Sequence, residues 1–247
     1  MEGLIWFALL LMPLVILQRL LHREIQAILL IWTRNLALTV GLFSLIFLPG
    51  VFLHEFSHWL MARLLGVRTG RFSIIPHALP DGRLQLGFVE TALTDPLRDS
   101  LIGLAPLITG GLVVAYTAIT RLGLLPVWDI FRSGDLRSFW QVVQALPQVA
   151  DFPLWFYLTF TVSSTMLPSA SDRHSFLPLA MYMALLVGLF VVAGAWQFFQ
   201  VLAPLFNDFL ISVGTVFGLS AAVHILLVVP LVAIHSLLAG IMGVDVK

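Results

Sequence analysis

The chain has 247 residues, 60% of them hydrophobic and 11% charged, with a formal net charge of zero and a mean hydropathy of +1.01. A soluble domain is nearer half apolar and a quarter charged, so an ordinary soluble globule is excluded, and a balanced charge with no basic patch argues against nucleic acid as a partner. No cysteine is present, which excludes disulfides and thiolate metal sites and leaves any transition metal to His and carboxylate ligands.

Repeated apolar runs of about 20 residues predict an all-α polytopic protein of the lipid bilayer. Leu4 to Leu21 is the first run, with Pro13 inside it, and the helix is expected to continue to about Thr33. The start lacks a basic region and a small-residue cleavage site, so this is read as a retained helix. Arg34-Asn35 breaks the pattern before a second span, Leu36 to Leu65, which Pro49 is expected to kink or divide. Gly66 ends it.

Residues 67–92 change character. Arg71 to Ile75 and Arg83 to Val89 are β-prone, with turn chemistry from Pro76 to Gly82, including His77, between them. A short β-hairpin is expected there. Leu97 to Ile119 is the next span, carrying Ala105-Pro106 and Gly110-Gly111. Residues 121–152, with Trp128 and Trp140, read as an amphipathic interfacial connection. Pro153 to Leu167, Phe176 to Gln200 and Phe209 to Leu238 complete a count of about six spans in one domain, residues 1–247. Asn207-Asp208 is expected to cap the last of them, and Gly214 with Gly218 to form a packing face. The 13 Lys and Arg divide almost evenly between the two sides, so charge sets no orientation.

The chemistry lies in His54-Glu55-Phe56-Ser57-His58. Residues i and i+4 share a helix face, so His54 and His58 can hold one metal ion while Glu55 stands beside it as a base. This is the His-Glu-x-x-His pattern of zinc metalloproteases. A catalytic zinc takes three protein ligands. Asp172 is the leading candidate for the third, because the preceding Pro-Ser-Ala-Ser stretch breaks the helix within the bundle, and His174 is its rival. With alternating spans, the C-terminal ends that carry His54, His58 and Asp172 face the same side. Thr165, Ser163 and Ser164 are candidate substrate contacts, although such hydroxyls more often bond their own backbone or a neighbouring helix. His224 and His235, eleven apart on one face, suit interhelical hydrogen bonds or a cavity wall.

The His54 to His58 motif in a membrane helix, the hairpin after it and the later Pro168-x-x-x-Asp172 resemble the site-2 protease family of intramembrane zinc metalloproteases. That family's later motif reads Asn-x-x-Pro-x-x-x-Leu-Asp-Gly. Here Thr165 stands at the Asn position, the gap from Pro to Asp is one residue shorter, and Arg173 replaces Gly. Ala105-Pro106-Leu107-Ile108-Thr109 echoes the family's Gly-Pro-x-x-Asn and makes Thr109 a further substrate-contact candidate. The likeness spans residues 36–175. It implies a Zn2+ protease that cuts a transmembrane protein substrate near the cytoplasmic side of a prokaryotic cell membrane, with control by prior trimming or a membrane partner. The competing expectations are a metal-transporting membrane protein and a non-catalytic membrane scaffold.

Overall fold

A computed structural model describes residues 2–78, 84–124, 130, 133–194 and 196–244. The first run forms one helix, α1 (Glu2–Thr33), with Pro13 inside it. It stops at Arg34, whose φ of 50° lies in the left-handed region. Asn35 starts the next helix by accepting the Leu38 N–H on its side chain at 3.2 Å. That helix, α2 (Leu36–Leu64), runs through Pro49 undivided, so no separate helix begins there. Gly66, at φ +71°, ends it. The Val67 N–H reaches back to the Ala62 carbonyl at 2.8 Å and the Gly66 N–H to Arg63 at 3.1 Å, the paired closure that a left-handed glycine permits.

The hairpin is present, as two short antiparallel ladders in series. Strand β1 (Thr69–Ser73) pairs with β4 (Phe88–Thr91), and β2 (His77–Ala78) pairs with β3 (Leu84–Gln85). His77, expected in the turn, lies in the inner ladder opposite Gln85. The backbone N–H of Arg71 donates to Glu90 at 3.1 Å and holds that carboxyl below its ordinary range, with the guanidinium adding a 3.0 Å ion pair. The expected turn at 79–83, with Arg83, and Trp128 of the interfacial connection lie outside the described residues.

Helix α3 (Pro96–Tyr116) is N-capped by Asp95 and runs into a π-helical turn, Thr117–Arg121. A short helix, α4 (Leu136–Ala145), capped by Asp135 and exposing Trp140, follows within the connection. Then come α5 (Phe152–Thr165), α6 (Phe176–Val192) and α7 (Trp196–Met242). Asn207 and Asp208 lie inside α7 and do not start it, because the apolar pattern runs on unbroken from Trp196. The Asn207 side chain instead accepts the Gly3 N–H at 2.9 Å, capping α1.

Among the described residues, four helices are long and apolar enough to cross a membrane: Glu2–Thr33, Leu36–Leu64, Pro96–Arg121 and Gln197–Met242. The expected count of six is not reached. Helix α5 has 14 residues, about 21 Å at 1.5 Å per residue, short of a hydrocarbon core of about 30 Å. Helix α6 has 17 residues and buries none of them. Six alternating spans would also set the first and last antiparallel. Here α1 and α7 run in the same direction, since Gly3 meets Asn207, Phe7 meets Phe217 and Glu24 meets His235. Gly214 lies against the Phe7 backbone, as a small-residue packing face requires.

The core is built around this parallel pair. Leu21, Ile25, Phe43, Phe47, Val51, Phe160 and Val223 form one cluster joining α1, α2, α5 and α7. Leu10, Leu14, Val114, Val162, Met166 and Phe217 form a second, in which α3 replaces α2. Both clusters grip α5, so its C-terminal end is fixed beside the middle of α2.

Candidate metal centre

Gly50, His54 and His58 follow one another at four-residue spacing along one face of α2. Gly50 is where α2 meets α5: a β-carbon there would lie 2.2 Å from the Thr161 carbonyl oxygen. One turn further, His54 Nδ1–H donates to the Thr165 carbonyl at 2.6 Å. Thr165 ends α5, and a carbonyl in the last turn has no helical N–H of its own. After another turn, His58 Nδ1–H donates to the Ile102 carbonyl at 2.8 Å. Helix α3 leaves that oxygen free because Pro106, four residues on, lacks an N–H.

Carbonyl oxygens only accept hydrogen bonds. The neutral rings therefore carry hydrogen on Nδ1 and turn unprotonated Nε2 atoms inward. Those atoms are 3.1 Å apart. Asp172 Oδ1 lies 3.3 Å from His58 Nε2, and Oδ2 lies 3.6 Å from His54 Nε2. Three sets of lone pairs thus face one another with no hydrogen between them, an arrangement that a cation relieves. Two donors on a tetrahedral ion at about 2.0–2.1 Å stand about 3.3 Å apart, which the observed separations match. Among the described residues this is the one group of three His, Asp or Glu side chains that could hold a metal ion.

The turn between α5 and α6 supplies Asp172. The Ser169 N–H donates to Asp172 Oδ2 at 2.7 Å, and the Asp172 N–H returns to Ser169 Oγ at 3.3 Å. This fixes the carboxylate's rotation. His174 is not brought to the other ligands; its Nε2 sits 3.1 Å from Asp99 Oδ2 and its side chain is 65% exposed.

Glu55 is buried, 8% exposed, and borders the same cavity of about 830 Å³ as His54, His58 and Asp172. The hairpin forms the facing wall through Gln85, Leu86, Gly87, Phe88 and Val89. It comes so close that a β-carbon at Gly87 would lie 2.8 Å from Glu55 Cγ. His22 also lines the cavity, its ring edge-on to Phe43 and Phe47.

The hydroxyl candidates are engaged within the bundle. Thr165 Oγ1 donates to the Thr161 carbonyl at 3.0 Å, and Thr109 Oγ1 donates to that of Ala105 at 3.0 Å while pairing with Ser57 Oγ at 2.5 Å. Ser163 is fully buried and donates to the Phe160 carbonyl at 3.1 Å. Ser164 Oγ pairs with His224 Nε2 at 2.9 Å. Ser164 and Thr165 nonetheless line the cavity. His235 pairs with Glu24 at 2.5 Å, so both later histidines make interhelical hydrogen bonds.

Sequence reasoning missed Gly50, Gly87 and the freed Ile102 carbonyl. The signal for the last was legible: a proline four residues after a residue in a helix orphans that residue's carbonyl, and Pro106 was weighed only as a kink. Comparison of the chain with protein-family models, with characterised proteins and with solved structures gave no match.

Proposed function

We propose that the protein is an intramembrane zinc metalloprotease that hydrolyses a peptide bond in or near a transmembrane segment of a membrane-protein substrate. The observation that carries this is the convergence of His54 Nε2, His58 Nε2 and the Asp172 carboxylate with Glu55 on the same cavity, within apolar membrane-length helices. Two imidazoles and a carboxylate suit zinc. When bound, zinc supplies a Lewis acid for the scissile carbonyl and lowers the pKa of water to about 7.

The chain's own groups do the rest. Nδ1 bonds to Thr165 and Ile102 hold the two rings in the ligand tautomer. Glu55 accepts the proton of the attacking water as the new C–O bond forms, then delivers it to the amine nitrogen as the C–N bond breaks. A peptide must be extended to expose its amides, and the wall formed by residues 85–89 supports capture of such a segment along a strand edge. Water enters beside the hairpin, and cutting occurs toward the cytoplasmic side, in line with the family resemblance. The hydroxyls of Thr165 and Ser164 remain candidates for holding substrate at the cavity wall, and Thr109 acts through Ser57 on α2.

The test uses the full chain in detergent micelles or vesicles with a reporter transmembrane substrate. Wild type retains one zinc per chain and cleaves; Glu55→Gln retains the zinc and does not cleave. Cleavage by Glu55→Gln near the wild-type rate removes its role as base. Zinc bound stoichiometrically with no cleavage of any transmembrane reporter favours a metal-handling membrane protein.

A further inference from the structure

We infer that Asp99, His174 and Ser175 form a clasp that holds Asp172 in place as the third metal ligand. The inference rests on the metal centre proposed above and assigns His174 and Asp99 as positioning residues. The turn carrying Asp172 spans residues 166–175 between α5 and α6, and regular backbone hydrogen bonding does not secure its middle. What secures it is the first two turns of α3. The Ser175 hydroxyl donates to Asp99 Oδ2. His174 Nε2 meets the same oxygen at 3.1 Å, while its Nδ1 lies 2.7 Å from the Ser171 carbonyl. The Ser100 hydroxyl, fully buried, donates to the Ser175 carbonyl at 3.2 Å.

Gly103 completes the seat. It stands four residues after Asp99, on the same face of α3, and a β-carbon there would lie 2.1 Å from the Asp172 carbonyl oxygen. Only a bare backbone lets the Asp172 main chain come this close. Ile102, one residue before, accepts from His58. A single stretch of α3 therefore holds two ligands of the centre: His58 through a carbonyl, and Asp172 through the clasp. Both ring nitrogens of His174 face acceptors within its own turn and α3, which gives this residue a task beside the ion without ligating it. The carboxylate of Asp99 lines the cavity next to His174, so the clasp closes the rim of the site.

The clasp is tested on the full chain in detergent with His174→Leu, Asp99→Leu, the double variant and Ser175→Ala. Two readouts are taken: amide hydrogen exchange across residues 166–175 without added metal, and Zn2+ affinity by chelator competition. Exchange in the turn is expected to rise about tenfold in each single leucine variant. Zn2+ affinity is expected to fall about 10–100-fold, the usual cost of losing a group that orients a ligand. The double variant should match the worse single within about threefold, because both changes open one device. Unchanged exchange and affinity in the singles overturns the clasp, as does a double loss equal to the product of the two. If a leucine variant fails to fold, Ser175→Ala, which removes one hydroxyl, decides the matter by the same two readouts. A wild type that binds no Zn2+ defeats the metal-centre proposal, and the exchange readout still decides the clasp.

Discussion

The carbonyl of Ile102 accepts the Nδ1 hydrogen of His58 at 2.8 Å because Pro106 has no N–H to offer it. Thr165 stands in the same relation to His54 at 2.6 Å, with the end of α5 in place of a proline. In both cases a helix makes an orphan acceptor and the acceptor orients an imidazole. Orphan carbonyls are costly inside a bilayer, so each ring also satisfies a polar group that has no water to turn to.

Pro106→Ala restores the missing N–H and lets α3 reclaim the Ile102 carbonyl. The expected result is a fall in Zn2+ affinity of roughly tenfold, the lower end of the range for lost orienting bonds, with a thermal midpoint of the metal-free protein that is no lower than wild type. Chelator competition and a melting curve on one preparation check both. Equal affinity in the two proteins would show that the His58 bond does not depend on the proline.

Asp172→Ala separates ligation from mere proximity. Zinc at about 100 times its Kd should stabilise wild type by about 2.7 kcal/mol and raise its melting temperature, since only the folded chain holds the three donors together. The variant should show little or no such rise, and chelator-treated wild type should regain cleavage on adding zinc while the variant does not. A full zinc-dependent rise in Asp172→Ala would move the third ligand elsewhere.

The helices α1, α2 and α3, the hairpin and the pair His54 and His58 were legible in the sequence, because apolar run length, turn residues and i, i+4 spacing are local signals. Asp172 was legible as a candidate, since a Pro-Ser-rich break inside an apolar region has few structural explanations. The span count was not. Residues 196–208 are as apolar as the rest of α7, so nothing local says that they continue the last helix, and the parallel course of α1 and α7 is a tertiary fact. Gly50, Gly87 and Gly103 were silent for the same reason. A glycine at a close approach looks like any helix or strand glycine until the partner backbone is in place.

Gly87→Val should strike the proposed base and spare the ligands. A β-carbon at this position would lie 2.8 Å from Glu55 Cγ and 2.9 Å from the Ser73 carbonyl, so either Glu55 turns away or the hairpin lifts. Both outcomes lower cleavage, by about 100-fold if Glu55 is displaced by about 1 Å, while zinc content stays at the wild-type level. Cleavage at the wild-type rate would mean that neither the strand nor Glu55 needs its present position.

His235→Leu probes the parallel pairing of α1 and α7, away from the metal centre. Glu24 is buried at 2% exposure and is held between His235 at 2.5 Å and the Arg23 guanidinium at 2.7 Å. Arg23 is largely exposed, so His235 is the partner that follows Glu24 into the interior. Removing it leaves a buried carboxylate half-satisfied, at a cost of about 1–3 kcal/mol or more. The melting temperature should fall, with zinc affinity unchanged. Removing both partners, as in Glu24→Leu with His235→Leu, should restore part of the loss, because an apolar pair leaves no buried charge to satisfy. A double variant less stable than His235→Leu alone would mean that the pair contributes net stability to the bundle, beyond compensating for its own burial.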